Sequence, residues 1–206
     1  GCALQCEFCA TGKSGFVRDL TASEIINQVI FLETAISGNV KNIVYMGMGE
    51  PFLNYDNVMQ SIVTLNHPKG KNIGIRNFTI STSGIIPGID KLASEEKIPR
   101  LSVSLHSVEN KKRSYLMPIN SKYPLDKLIK SLENFKNKTN DRITFEYILI
   151  KDFNCSIEDA HHISNKLKNL KKLINLIPVN PVDKRYKRPS EEEISTFVKE
   201  LEMLGV

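Results

Sequence analysis

Three of the four cysteines lie in one short segment at the start of the chain. Cys2, Cys6 and Cys9 have the spacing C-x3-C-x2-C, whereas Cys155 stands alone far along the sequence. A disulfide framework would spread pairs of cysteines through a small secreted domain, so a tight cluster of odd number favours a metal site instead. Cys2, Cys6 and Cys9 are therefore candidate metal ligands.

The number of sulfur ligands favours an iron–sulfur cluster. A zinc site needs a fourth ligand, commonly from a second CxxC or HxxxH pair, and His161 and His162 stand far from the cysteines, within a predicted helix. Three thiolates suit a [4Fe–4S] cluster in which one iron lacks a protein ligand. The amino and carboxylate groups of S-adenosylmethionine can chelate such an iron, and an electron from the cluster can then break a carbon–sulfur bond of that cofactor.

The cysteine spacing, with the aromatic Phe8 just before the last cysteine, resembles that of the radical S-adenosylmethionine (radical SAM) enzymes. This resemblance implies a [4Fe–4S] cluster and S-adenosylmethionine as cofactors. A zinc loop remains the alternative as long as the spacing is taken by itself.

The elements that must position the cysteines alternate between strand and helix patterns. The strand patterns cover 42–46, 78–81, 101–105, 143–150 and 173–177. The helical patterns cover 21–36, 56–65, 89–95, 125–136, 157–170 and 190–204. Potential capping boxes at Thr21–Glu24 and Ser190–Glu193 mark the starts of the first and last of these helices.

Five strand patterns, each followed by a helix, predict an α/β fold with a parallel sheet covered by helices. The first helix has no strand before it, and the simplest interpretation is a strand upstream of Gly1. With that strand the count is six βα units, which predicts a partial (β/α)6 TIM-like barrel of the radical SAM type. We expect residues 1–206 to form one core domain that is incomplete at both ends.

Small and polar groups follow four of the five strand patterns, in the segments 46–51, 81–84, 104–107 and 178–181. Functional residues of βα barrels collect at these carboxyl ends. Gly49 allows close approach of the backbone to a ligand, and Glu50 can accept from an amino group. Ser81, Ser104 and Asn180 can bind hydroxyl, carboxylate or adenine groups. Ordinary turns are the alternative interpretation of each segment.

Further motifs extend the resemblance over the whole chain. ATG at 10–12, MGMGEP, STSG, SLHS, MPIN at 117–120 and NLIPVNP at 175–181 occur in the order found in the RlmN/Cfr family of RNA methyltransferases. The resemblance implies methylation of carbon 2 of an adenosine in 23S rRNA, and in tRNA in many bacteria. Pro51 favours RlmN over Cfr, which methylates carbon 8 of the same base. A radical enzyme acting on another substrate is a further alternative.

The resemblance also implies roles for individual residues. Cys2, Cys6 and Cys9 would bind the cluster. The residues implied to contact S-adenosylmethionine are Gly49, Glu50, Ser81, Ser104, Leu105, His106 and Asn180. The family's two additional catalytic cysteines have no counterpart here, and Cys155 is interpreted as a bystander. We therefore expect no catalytic residue within 1–206 and no complete turnover by these residues alone.

The net charge of +5 is compatible with an RNA partner without requiring one. The basic segments 184–188, which contains Tyr186, and 111–113 are candidate RNA contacts, although most such runs are solvated loops. A non-catalytic iron–sulfur or zinc module that binds RNA is an alternative of another class. With no membrane-length apolar run and no secretory signal, we expect a cytoplasmic monomer that does not enter membranes. The resemblance adds an electron donor such as flavodoxin or ferredoxin.

Overall fold

The computed structural model describes residues 1–180 and 185–206. The strands are β1 (Ile43–Tyr45), β2 (Phe78–Thr82), β3 (Arg100–Ser104), β4 (Ile143–Leu149) and β5 (Lys172–Pro178). The α-helices are α1 (Ala10–Lys13), α2 (Ala22–Ile36), α3 (Tyr55–Asn66), α4 (Ile86–Leu92), α5 (Asn110–Leu116), α6 (Leu125–Thr139), α7 (Ile157–Lys166) and α8 (Glu191–Met203). Short 3₁₀ helices cover Pro51–Asn54, Ile75–Asn77 and Pro118–Ser121.

The five strands form one parallel sheet in the order β1-β2-β3-β4-β5. Each strand is followed by at least one helix before the next begins. The predicted parallel α/β architecture is confirmed, and it is consistent with a partial TIM-like barrel. A sixth strand upstream of Gly1 stays a prediction.

The two faces of the sheet have different chemistry, because side chains alternate along each strand. Phe78, Ile80, Leu101, Val103 and Phe145 are fully or almost fully buried in the main apolar core with the helices. The alternate positions form the inner face, and register places their small or polar side chains in a row: Ser81 beside Ser102, Ser104 beside Glu146, and Glu146 beside Asn175.

Reciprocal hydrogen bonds at their first residues start three of the helices. The predicted capping boxes Thr21–Glu24 and Ser190–Glu193 are both present. A third, Ser156–Asp159, starts α7. Among the described residues no helix combines the length and the apolar character needed to cross a membrane.

Four helices differ from their sequence predictions by three residues or more. Helices α6 and α7 end at Thr139 and Lys166, against predicted ends at 136 and 170. Helix α4 begins at Ile86, three residues before the predicted start at 89, with Pro87 in its first turn, where a proline needs no hydrogen-bond partner. Helix α5 forms in a segment for which only a basic run was predicted. The buried residues of this helix are Arg113 and Leu116.

Candidate iron–sulfur and cofactor site

The segment Gly1–Cys9, here called the cysteine loop, lies at the carboxyl ends of the strands. Three contacts hold it there: a hydrogen bond from Glu7 N to Leu116 O (3.0 Å), an edge-to-face contact of the Phe8 and His106 rings (centroids 4.7 Å apart), and the approach of Gly1 to Gly49. The loop therefore touches the segments that follow β1 and β3 as well as α5.

A second apolar cluster packs against the cysteine loop. Cys6 and Phe8 pack against it, and its buried members are Leu116, Met117, Ile148, Ile150, Val179 and Tyr186. Val179 directly precedes Asn180 at the end of β5, so the loop also reaches this end of the sheet.

The three cysteines of the loop are partly buried and carry free thiols. The Cys9 amide donates to the Cys6 carbonyl (3.1 Å), which forms a tight turn between them. Burial, followed by repulsion from Cys2 and Cys9, raises the pKa of the Cys6 thiol to about 12. Three thiolates are thus unfavourable here without a cation, and a metal cluster would supply that cation.

The donor set of the loop can be compared with the two kinds of metal centre. Within residues 1–180 and 185–206, no three Cys, His, Asp or Glu side chains converge closely enough to hold one metal ion. A zinc ion binds all its ligands at one centre, whereas a [4Fe–4S] cluster binds each thiolate at a different iron. The number and type of the donors, three thiols in one loop, fit a [4Fe–4S] cluster in which one iron lacks a protein ligand.

Glu50 is fixed before any ligand binds. Its Oε2 accepts from the Ser83 amide (2.7 Å) and the Ser83 hydroxyl (2.6 Å), and its Oε1 accepts from the Phe52 amide (3.1 Å). Burial raises the pKa of this carboxyl, and the hydrogen bonds from Ser83 oppose that shift. The side chain is only 9% exposed, so a ligand amino group would meet a carboxylate already in position.

Gly49, the residue before Glu50, has a φ of +116°. This is a region that side chains other than glycine's rarely adopt. A Cβ at this position would lie 3.3 Å from the carbonyl oxygen of Gly1. The glycine therefore permits both the turn after β1 and the close approach of the cysteine loop.

His106 is a buried, neutral imidazole. Its Nδ1 accepts from the Ile148 amide (3.0 Å), and burial, with a smaller effect of the Arg113 charge, lowers its pKa to about 3. Nδ1 is an acceptor, so the proton of the neutral ring is on Nε2. Asn154 Nδ2 donates to the His106 carbonyl (2.7 Å) and fixes the backbone at its φ of +57°.

The remaining predicted cofactor residues lie at the same end of the sheet. Ser81 is buried in β2, and Ser104 is the partly exposed last residue of β3. Leu105 is fully buried, its amide donates to the Glu146 carbonyl (2.9 Å) and its carbonyl accepts from Arg113 Nε (3.2 Å), so it presents no accessible group to a ligand in this structure. Asn180 is exposed, two residues beyond β5.

Sequence reasoning missed a polar group on the inner face. The Glu146 carboxylate accepts from the Ser102 hydroxyl (2.9 Å) and from Asn175 Nδ2 (2.7 Å). The period-two pattern around Glu146, with apolar neighbours on both sides, indicated that its side chain points opposite to Phe145 and Tyr147.

The structure corrects two of the predicted RNA contacts, Arg113 and Tyr186, while the other described members of the two basic segments stay predictions. Arg113 of the 111–113 segment is fully buried. Tyr186 is only 4% exposed, so its ring is not available to stack on a base. Arg185 forms an ion pair with Glu7 of the cysteine loop (3.0 Å). Lys184 lies outside the described residues.

A cavity of about 500 Å³ lies beside the sheet. It is lined by residues of α2, β1 and the segment 47–51, together with Cys2, and by none of the described residues of β2–β5. It follows the outer edge of β1 and does not cover the inner face, so we do not identify it with the cofactor site.

Known proteins match this chain over most or all of its length. The model of the radical SAM superfamily matches residues 1–163. A probable dual-specificity RNA methyltransferase RlmN of Petrotoga mobilis is 48% identical over the whole chain, which covers 59% of that protein. The RlmN of Thermotoga petrophila is also 48% identical, and 60% of it is covered.

A crystal structure of a radical SAM protein also matches this chain. The radical SAM methyltransferase from Sphaerobacter thermophilus is 41% identical and superimposes with a TM-score of 0.96 over the whole chain, which covers 62% of it. The resemblance indicated by the motifs is thus confirmed, while the chain spans about 60% of the length of the curated relatives. The superfamily implies a [4Fe–4S] cluster and S-adenosylmethionine as cofactors, and the cysteine loop fits them. The chain belongs to the radical SAM superfamily.

Proposed function

We propose that the full-length protein containing this chain is an RNA methyltransferase that modifies carbon 2 of an adenosine in 23S rRNA and in tRNA. The observation that carries the proposal is the placement of the cysteine loop against the strand ends that bear Gly49, Glu50 and His106. The relatives named as dual-specificity RNA methyltransferases support RNA as the substrate.

In this proposal Cys2, Cys6 and Cys9 hold the cluster. When bound, the cluster and S-adenosylmethionine supply the reductive cleavage of a carbon–sulfur bond. Glu50, fixed by Ser83 and Phe52, accepts from the amino group of the cofactor. Its position is set before binding, so little ordering cost remains.

Three further groups orient the cofactor in this proposal. His106 presents the Nε2 proton as a donor, because Nδ1 is already used by Ile148. Ser81 and Ser104, on the inner face, bind hydroxyl groups, while Leu105 packs in the core behind them. Asn180 binds from the end of β5.

Carbon 2 rather than carbon 8 is proposed on the identity of Pro51, directly after Glu50. Pro51 starts the 3₁₀ helix Pro51–Asn54 and forms part of the wall beside Gly49. An electron donor such as flavodoxin or ferredoxin, a monomeric state and a cytoplasmic location belong to the same proposal. We also propose that segments outside 1–206 supply the two additional cysteines of the reaction.

The first prediction compares two cysteine variants of the full-length protein. Cys6→Ala removes a cluster ligand and should abolish methylation of rRNA and tRNA substrates. Cys155→Ala, whose thiol donates to the Ile150 carbonyl (3.4 Å), should keep activity within about twofold of wild type, as expected for a site away from the chemistry. Mass spectrometry of nucleosides from the treated RNA measures the product.

The nucleoside formed separates the alternatives. 2-Methyladenosine supports the proposal, and 8-methyladenosine would replace it with Cfr-like chemistry. Equal activity of Cys6→Ala and wild type would contradict a radical mechanism. Methylation of metabolites without methylation of RNA would point to another radical SAM reaction.

A further inference from the structure

Arg113 in α5 has an unusual setting for a charged side chain. It is fully buried, and although burial lowers its pKa to about 10, the guanidinium keeps its charge at neutral pH. In the part of the chain that the structure describes, its hydrogen bonds go to three backbone carbonyls and one amide, with no carboxylate. Burying a cation without a counter-ion is costly, so this residue needs an explanation.

The guanidinium joins the ends of two adjacent strands. Nη2 donates to the Ser83 carbonyl (2.8 Å), just after β2, and to the Ser104 carbonyl (3.0 Å), at the end of β3. Nε donates to the Leu105 carbonyl (3.2 Å). Ser83 in turn binds Glu50 beyond β1, so Ser83 and Arg113 connect three consecutive strand ends.

The same guanidinium lies close behind the cysteine loop. Leu116, one turn further along α5, accepts from the Glu7 amide (3.0 Å). Cys6 packs on the apolar cluster that contains Leu116 and Met117. The charge of Arg113 lowers the pKa of the Cys6 thiol, an effect smaller than those of burial and of Cys2, Cys9 and Glu50, which raise it.

We propose that Arg113 is a positioning residue that aligns the ends of β2 and β3 for the cofactor and places a fixed positive charge behind the iron–sulfur cluster. This inference rests on the proposed function of the cysteine loop. Adding an electron to a thiolate-bound cluster increases its negative charge, and a nearby buried cation favours that addition. Arg113 therefore raises the reduction potential of the cluster.

Three variants of the full-length protein separate the charge from the hydrogen bonds. Arg113→Met removes both, and Arg113→Lys keeps the charge but loses the fork of donors. Asn120→Asp keeps Arg113 and turns the atom that now accepts from Nη1 (2.7 Å) into a carboxylate oxygen, which offsets the charge, although it also removes the Nδ2 donations to Asn110 and Ser114.

Lys112→Met is the matched control. It makes the same change of net charge one residue away, but Lys112 forms ion pairs with Glu109 (2.7 Å) and Asp159 (2.8 Å) instead of hydrogen bonds to the strand ends. The readouts are the reduction potential of the reconstituted cluster, from an anaerobic titration followed by electron paramagnetic resonance (EPR), and the affinity for S-adenosylmethionine, from equilibrium dialysis.

The potential should be lower in Arg113→Met and in Asn120→Asp, and unchanged in Arg113→Lys and Lys112→Met. The affinity for S-adenosylmethionine should fall roughly tenfold in Arg113→Lys, as expected for poorly aligned hydrogen bonds. A wild-type potential in Asn120→Asp, or an equal shift in Lys112→Met, would overturn the inference. If Arg113→Met binds no cluster, the reduction potential of the Asn120→Asp cluster tests the inference. A wild-type protein that binds no iron would contradict the proposed function instead.

Discussion

At the scale of single residues, the site is built from groups that are fixed before any ligand binds. Glu50 is held by Ser83, His106 by Ile148 and Asn154, and the strand ends by Arg113. Each of these side chains is buried. A preorganised arrangement of this kind lowers the ordering cost of cofactor binding.

His106 makes the stability of the protein pH-dependent in a predictable direction. Its pKa is about 3 in the folded chain against the ordinary histidine value of 6.5, so between these values the unfolded chain binds a proton that the folded chain does not. The neutral His106 imidazole therefore makes its full contribution to the unfolding free energy above pH 6.5, and this contribution is lost as the pH falls. Between pH 6.5 and 5 the loss should be about 2 kcal/mol of unfolding free energy.

His106→Asn tests this, since asparagine retains an acceptor near Nδ1 and tolerates the positive φ. Urea unfolding at several pH values should show a shallower decline for this variant than for wild type. His67→Asn, at an exposed histidine, is the control substitution. Parallel curves for wild type and His106→Asn would show that the imidazole is not held neutral.

At the scale of elements, the turn from β2 into α4 depends on Gly84. Its φ is +103°, and a Cβ there would lie 2.9 Å from Leu128 Cδ2 and 3.3 Å from Arg113 Nη2. Gly84→Ala should lower the unfolding free energy by about 2 kcal/mol through strain and close contact. Gly38→Ala, where a Cβ meets nothing closer than 3.6 Å, should change it by less than about 0.5 kcal/mol. Equal effects in urea unfolding would refute this account of the turn.

The elements themselves could largely be predicted from local patterns. The alternation of apolar and polar residues predicted the strands. A Ser or Thr followed three residues later by Glu predicted the starts of α2 and α8, because these signals involve residues close in sequence. Arg113 could not be assigned in this way. Its acceptors are Ser83, Ser104 and Leu105, and a basic run gives no indication of such buried partners.

The polar group on the inner face was missed for a related reason. Glu146 meets Asn175 only because β4 and β5 pair in one particular register, across 29 residues of chain. The cysteines and the motifs at the strand ends were found from the sequence because the residue types and their spacing in one segment indicated the chemistry. The contacts that connect those segments required the sheet.

At the scale of the whole molecule, a row of small and polar side chains on the inner face of the sheet lies beside the exposed apolar side chains of Val44, Leu173 and Ile177. The cysteine loop lies at one end of this face. The outer face is buried under the helices, which confines cofactor chemistry to the inner face. The relatives are longer than this chain, so the proposed RNA binding and turnover have to be tested on the full-length protein.

The central claim is that one iron of the cluster is left without a protein thiolate and binds S-adenosylmethionine. The most direct test is the EPR spectrum of the reduced, anaerobically reconstituted protein, recorded with and without S-adenosylmethionine. The account predicts about four irons per chain and a spectrum that changes when the cofactor is added. Bound zinc in place of iron, or a cluster spectrum that S-adenosylmethionine leaves unchanged, would contradict it.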